Sequence, residues 1–211
     1  MTTLFQFWSR LPPGEHIHPE DKPFLAFNKE HTFRTEHRPP GPYDGPLALA
    51  KVVVCYANPG LDYEDINWTD EITRQLTGRE DLPDIPGWRE WYWRRLRRIG
   101  LPFDETRKLV AIFNVCPYTS KEMAARDIRV AAGLPSVWAA QKHLHEVLIP
   151  KALKGDLFLV IARKHQLWGV VEGFDCRNIR FIRNLGGYLG EELSAEIGSW
   201  LASVADSSGK K

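Results

Sequence analysis

The stretch Leu47-Ala-Leu-Ala-Lys-Val-Val-Val-Cys-Tyr56, closed by Ala57-Asn58-Pro59-Gly60, carries the architecture of this chain. A short, β-branched apolar run stopped by a turn signal is how a strand buried on both faces reads. Two further runs repeat the pattern: Lys108 to Val115 (KLVAIFNV), stopped by Cys116-Pro117, and Asp156 to Ala162 (DLFLVIA). Asn178 to Ile182 offers a fourth strand. Between them lie segments of helical spacing: the polar Asp62 to Thr77, then Trp88 to Ile99 (WREWYWRRLRRI), stopped by Gly100 and Pro102. Ser136 to Leu153 follows, with an apolar stripe of Trp138, Leu144, Val147, Leu148 and Leu153. Glu191 to Val204 reads as a last helix. This alternation predicts an α/β three-layer sandwich: a central, mostly parallel four-stranded sheet flanked by helices.

Outward from that core, residues 1–46 are rich in Pro, His and charge, and read as an irregular arm packed on the domain. The arm ends in Pro39-Pro40-Gly41-Pro42 and Gly45-Pro46. Residues 47–204 form the domain proper, and 205–211 read as a disordered tail. The 211 residues, 43% hydrophobic and 26% charged, suit one globular domain. The net charge of +1 excludes a globally basic nucleic-acid binder. No apolar window is long enough for a membrane span, and the first residues lack the pattern of a signal peptide. Three widely spaced cysteines, Cys55, Cys116 and Cys176, fit a reducing compartment, so the expected location is the cytoplasm. There is no CxxC, HExxH, GxGxxG or P-loop, and His143 and His145 would diverge on a helix; neither metal nor cofactor is expected.

In open α/β sheets ligands bind beyond the carboxyl ends of the strands. Two turns fall there. In Asn58-Pro59-Gly60, proline fixes its own φ and holds Asn58 extended, so one amide is displayed rigidly, although the same tripeptide is an ordinary turn signal. In Asn114-Val115-Cys116-Pro117-Tyr118 a polar residue interrupts an apolar strand. A buried amide without partners costs roughly 1–3 kcal/mol, so Asn114 serves either a structural hydrogen bond or a ligand.

Together these motifs resemble the uracil-DNA glycosylase superfamily, and its single-strand-selective monofunctional type most closely. The matching features are Ala57-Asn58-Pro59-Gly60, the aromatic Trp88–Ile99 helix and Asn114-Val115-Cys116-Pro117, in that order, within roughly residues 47 to 204. The resemblance implies hydrolysis of the N-glycosidic bond of uracil or another damaged base in DNA, after the nucleotide is extruded from the stack. Asn58 would position the attacking water, and Asn114 would read the base edge, with Tyr63 or Tyr118 stacking on the base and Trp68 also within reach. The family's last motif, usually His-Pro-Ser, is replaced by Arg183-Asn184-Leu185-Gly186-Gly187-Tyr188-Leu189-Gly190. Arg183 would then supply the positive charge at the leaving base, and Asn184 and Tyr188 would approach DNA.

Further nucleic-acid contacts are expected at Pro59 and Gly60, and at Arg163, Lys164 and His165 after the third strand. The arginines Arg94, Arg95, Arg97 and Arg98 offer phosphate contacts or simply a solvated face. Partners are thus DNA, single-stranded included, or a free nucleobase or nucleotide. The loss of the histidine keeps a second reading open, a catalytically inactive member of the fold that binds a base, nucleic acid or protein. A third is a hydrolase using Cys116 or Asp62 with His165.

Overall fold

The computed structural model describes residues 2–36, 38–60, 69–162, 164–171, 176–182 and 186–208. Strands β1 (Tyr43–Asp44), β2 (Val52–Tyr56), β3 (Val110–Asn114), β4 (Phe158–Ile161) and β5 (Ile179–Phe181) form one sheet in the order β1-β3-β2-β4-β5. All pairs are parallel except β1 with β3. The register Val52↔Val110 through Tyr56↔Asn114 brings the ends of β2 and β3 level.

Period-two alternation divides the strand residues between two cores. Val53, Cys55, Ala111, Phe113, Leu159 and Ile161 face one layer, where they meet Phe7 and Trp8 of the arm and Val137, Leu144 and Leu148. Val52, Val54, Tyr56, Ile112, Phe158 and Val160 face the other, against Trp88, Trp91, Tyr92, Leu96 and Ile197. Every residue of β2, β3 and β4 is buried, as expected for strands covered on both sides.

The helices follow the apolar stripes. In the arm α1 spans Leu4–Trp8 and α2 Lys22–Phe27; α3 is Thr69–Gln75 and α4 Trp88–Leu96, continued by a 3₁₀ turn Arg97–Ile99. Helix α5 (Phe103–Leu109) runs directly into β3, and α6 (Ala125–Ala131) precedes α7 (Pro135–His143). A π turn, Leu144–Leu148, joins α7 to α8 (Ile149–Lys154). Pro150 cannot donate to a carbonyl one turn back, and the widened turn accommodates it. Helix α9 spans Glu191–Ser208.

Three expectations are corrected. The sheet has five strands rather than four, because the arm contributes β1. The arm is more regular than expected, with two helices and that strand. The last helix runs past Val204 into the stretch expected to be disordered, while 209–211 lie outside the described residues. The first half of the Asp62–Thr77 helix also lies outside them. Among the described residues no helix is long and apolar enough to cross a membrane.

Candidate functional site

The turns after β2 and β3 abut. Val115 N–H donates to Tyr56 O (3.0 Å) and Cys116 N–H to Ala57 O (2.9 Å), so the two exits stay zipped beyond the strands. Asn58 is held by one end only. Its Nδ2 donates to Ser120 Oγ (2.9 Å) and Pro59 O (3.0 Å), while its Oδ1 accepts no hydrogen bond among the described residues. Ser120 Oγ is itself fixed, donating to Glu122 O (3.0 Å).

Asn58 lines an open hollow of about 820 Å³, open solvent included, together with Tyr56, Gly60, Trp91, Arg95, Lys121 and Gly186. The Arg95 guanidinium lies 4.0 Å from the Trp91 ring centroid and 5.8 Å from that of the exposed Tyr188. Tyr56 Oη donates to Gly187 O (2.7 Å), which draws the loop before α9 to the mouth. Of the four clustered arginines only Arg95 lines this hollow.

Asn114 is placed differently from expectation. It is 1% exposed and lines neither this hollow nor its neighbour. Its backbone N–H donates to Pro42 O (2.8 Å) and its Nδ2 to Gly41 O (2.9 Å), and Gly41 N–H donates to Pro117 O (2.9 Å). Its Oδ1 is sealed without a partner. The cause is β1: by pairing with β3 it makes β3 an interior strand, and the arm residues before it fold over the end of β3.

A second, narrower hollow of about 420 Å³, open solvent included, shares Gly60 and Trp91 with the first. Its walls include Arg38, Gly41, Asp44, Pro59 and Trp88. Asp44 is buried, and its Oδ1 accepts from Trp88 Nε1 (2.9 Å). Burial pushes the Asp44 carboxyl up to about 6, against the opposing effects of the Arg38 charge and the Trp88 hydrogen bond. Gly41 is needed for closeness: a Cβ there would lie 3.1 Å from Arg38 Nη2 and 3.2 Å from Pro59 Cγ.

The raised pKa of Asp44 has a measurable consequence. The folded state holds this proton more tightly than the unfolded chain, so the group's contribution to stability is full below about pH 4 and is lost as pH rises through about 6. Asp44→Asn keeps the acceptor for Trp88 and removes the titration. Its stability relative to the parent is therefore expected to rise between pH 4 and 7, by up to roughly 3 kcal/mol. Urea unfolding at several pH values checks this; a difference independent of pH would contradict the burial argument.

Tyr118 is corrected: it is 2% exposed, with its hydroxyl donating to Asp21 Oδ2 (2.6 Å) and accepting from His18 N–H (3.2 Å), so its ring belongs to the core beneath the arm and cannot stack on a base. Lys164, with φ 52°, and His165, edge-on to Phe181 at 6.1 Å, lie beyond β4 and line neither hollow. Tyr188 and Gly186 of the last motif reach the site; Tyr63, Trp68, Asp62, Arg163, Arg183 and Asn184 lie outside the described residues. Cys55 and Cys116 are fully buried, and desolvation pushes the pKa of both thiols far above its ordinary value, the wrong direction for a nucleophile. Among the described residues no three His, Cys, Asp or Glu side chains cluster as metal ligands would. Arg38, Asp44 and Ser120 were not singled out by the sequence; the first two sit in a proline-rich arm where charges normally face water.

No family model matches the chain, nor does any curated protein or solved structure.

Proposed function

We propose that this protein is a uracil-DNA glycosylase-like enzyme that hydrolyses the N-glycosidic bond of uracil or another damaged base in DNA. The observation that carries the reading is the state of Asn58. Its amino end is clamped by Ser120, its oxygen accepts no hydrogen bond among the described residues, and it lines the hollow that shares Gly60 and Trp91 with the second. A flipped nucleotide needs such a pair of compartments, one for the base and one for the sugar and phosphates. A neutral amide oxygen orients a water towards the sugar C1′ without acting as a strong base. Fixed dipoles stabilise the charge that develops on the sugar and the departing base. Arg95 serves the phosphate beside the extruded nucleotide, and Tyr188 the neighbouring strand. Asn114 braces Gly41 in the wall of the second hollow and is given no direct contact with the base.

The same geometry supports a second reading, a non-catalytic base- or nucleic-acid-binding protein. Two observations favour it: Asn114 is sealed, and among the described residues no histidine lines either hollow to stabilise a leaving base.

The readings separate in one assay. The protein is incubated with single- and double-stranded oligonucleotides containing uracil, hypoxanthine or xanthine, and abasic sites are measured by alkaline cleavage. Product with at least one base is expected; none with any base leaves the binding reading. Arg95→Ala is expected to weaken oligonucleotide affinity and lower the slope of log affinity against log salt by about 1. An unchanged slope would remove Arg95 from the phosphate contact.

A further inference from the structure

Two buried polar atoms around the second hollow, Arg38 Nε and Asn114 Oδ1, lack partners among the described residues, and such atoms call for an explanation. Arg38 makes no hydrogen bond or ion pair among the described residues, and its Nε is sealed from solvent. Asp44 uses Oδ1 for Trp88, while Oδ2 accepts nothing among the described residues. Asn114 Oδ1, one hydrogen bond behind Gly41, is likewise unpaired. Arg38 and Asp44 influence each other's charge yet make no ion-pair contact. An opposite pair that stays apart inside a protein is costly unless something bridges it.

What would bridge it follows from the donors and acceptors. Asp44 Oδ2 asks for an N–H, the Arg38 guanidinium for a carbonyl oxygen, and the indoles of Trp88 and Trp91 beside them for a flat ring. The geometry points to Asp44 and Arg38 as the specificity-determining residues of this hollow, reading the adjacent N–H and C=O of a lactam-type base edge. This inference rests on the glycosylase-like reading of the same site and moves base selection from Asn114 to the N-terminal arm. Uracil and hypoxanthine present that edge. Cytosine offers its donor, N4–H₂, and acceptor, N3, one atom further round the edge, so it meets Asp44 and Arg38 only by shifting in the slot. Arg38 is also the group that must yield for a base to enter the narrow slot, and no hydrogen bond or ion pair among the described residues holds it in place.

The test uses the full chain carrying Asn58→Ala, so that binding is read without turnover. Fluorescein-labelled single-stranded oligonucleotides carry one central uracil, hypoxanthine, cytosine or tetrahydrofuran abasic analogue, and affinities come from anisotropy. Uracil and hypoxanthine are expected to bind about tenfold or more tighter than the abasic analogue, with cytosine weaker than either. Adding Asp44→Asn places an N–H₂ where Oδ2 stood, opposite the ring N–H of uracil, so the preference for uracil over cytosine is lost. Adding Arg38→Met removes the carbonyl contact, and the preference for uracil falls about tenfold without a gain for cytosine. This second variant, on the other side of the hollow, decides the matter should Asp44→Asn fail to fold. An unchanged uracil preference in a folded double variant, or no preference in the parent, overturns the inference. The glycosylase reading is scored separately: excision by the wild type with base selection indifferent to Asp44 and Arg38 defeats the inference alone. Selective binding without any abasic product defeats the glycosylase reading alone.

Discussion

Asp21→Ala is expected to destabilise the fold by about 2–5 kcal/mol, since it orphans two buried donors at once and leaves a void. Asp21 is fully buried; its Oδ2 accepts from the Tyr118 hydroxyl at 2.6 Å and its Oδ1 from Ser136 N–H at 3.0 Å. The same hydroxyl accepts from His18 N–H, and His18 Nε2 bonds Phe7 O at 2.9 Å with its ring stacked on Phe7 at 3.8 Å. One carboxylate therefore ties the arm, the loop after β3 and the first turn of α7 together. Asp21→Asn keeps the shape and one acceptor, and is expected to cost clearly less. Urea unfolding with far- and near-ultraviolet circular dichroism measures both. An Asp21→Ala midpoint equal to the parent's would show that the network does not hold the arm. Because residues 118–120 also clamp Asn58, any base excision is expected to fall in Asp21→Ala even at temperatures where it remains folded.

That network also marks where the sequence stops being readable. Val52–Tyr56, Val110–Asn114 and Phe158–Ile161 lie inside the apolar runs read as strands, because a strand buried on both faces leaves a local signature. The adjacency of the two turns follows from the parallel register and is equally legible. Strand β1 is not: two residues between Pro42 and Gly45 have no period, and they become a strand only by meeting Ile112 and Phe113 far along the chain. Its consequences were hidden with it. Asn114, correctly seen as an amide needing a partner, finds Gly41 in the arm rather than solvent or ligand. Tyr118, suggestive beside the second turn, points to His18 and Asp21, about a hundred residues earlier. Helices α5 and α6 are short and lack a clear apolar stripe, so tertiary packing decides them.

The largest functional effect is expected at Asn58. Removing its side chain takes away an amide that is oriented by Ser120 and whose oxygen accepts no hydrogen bond among the described residues. Misplacing or losing a positioned water costs a hydrolysis at least about a hundredfold. The loss belongs in the chemical step, because Arg95, Tyr188 and the second hollow are untouched and the oligonucleotide still binds. Structural damage is small, since Ser120 keeps its bond to Glu122 O.

The decisive measurement is single-turnover release of base from a uracil-, hypoxanthine- or xanthine-containing oligonucleotide, with excess wild-type protein and, in parallel, Asn58→Ala. Abasic product from the wild type, a rate at least about a hundredfold lower in the variant and similar affinity for the substrate is the expected result. Equal rates for the two proteins, or no product from the wild type with any of the three bases, would contradict a glycosidic hydrolase built on Asn58.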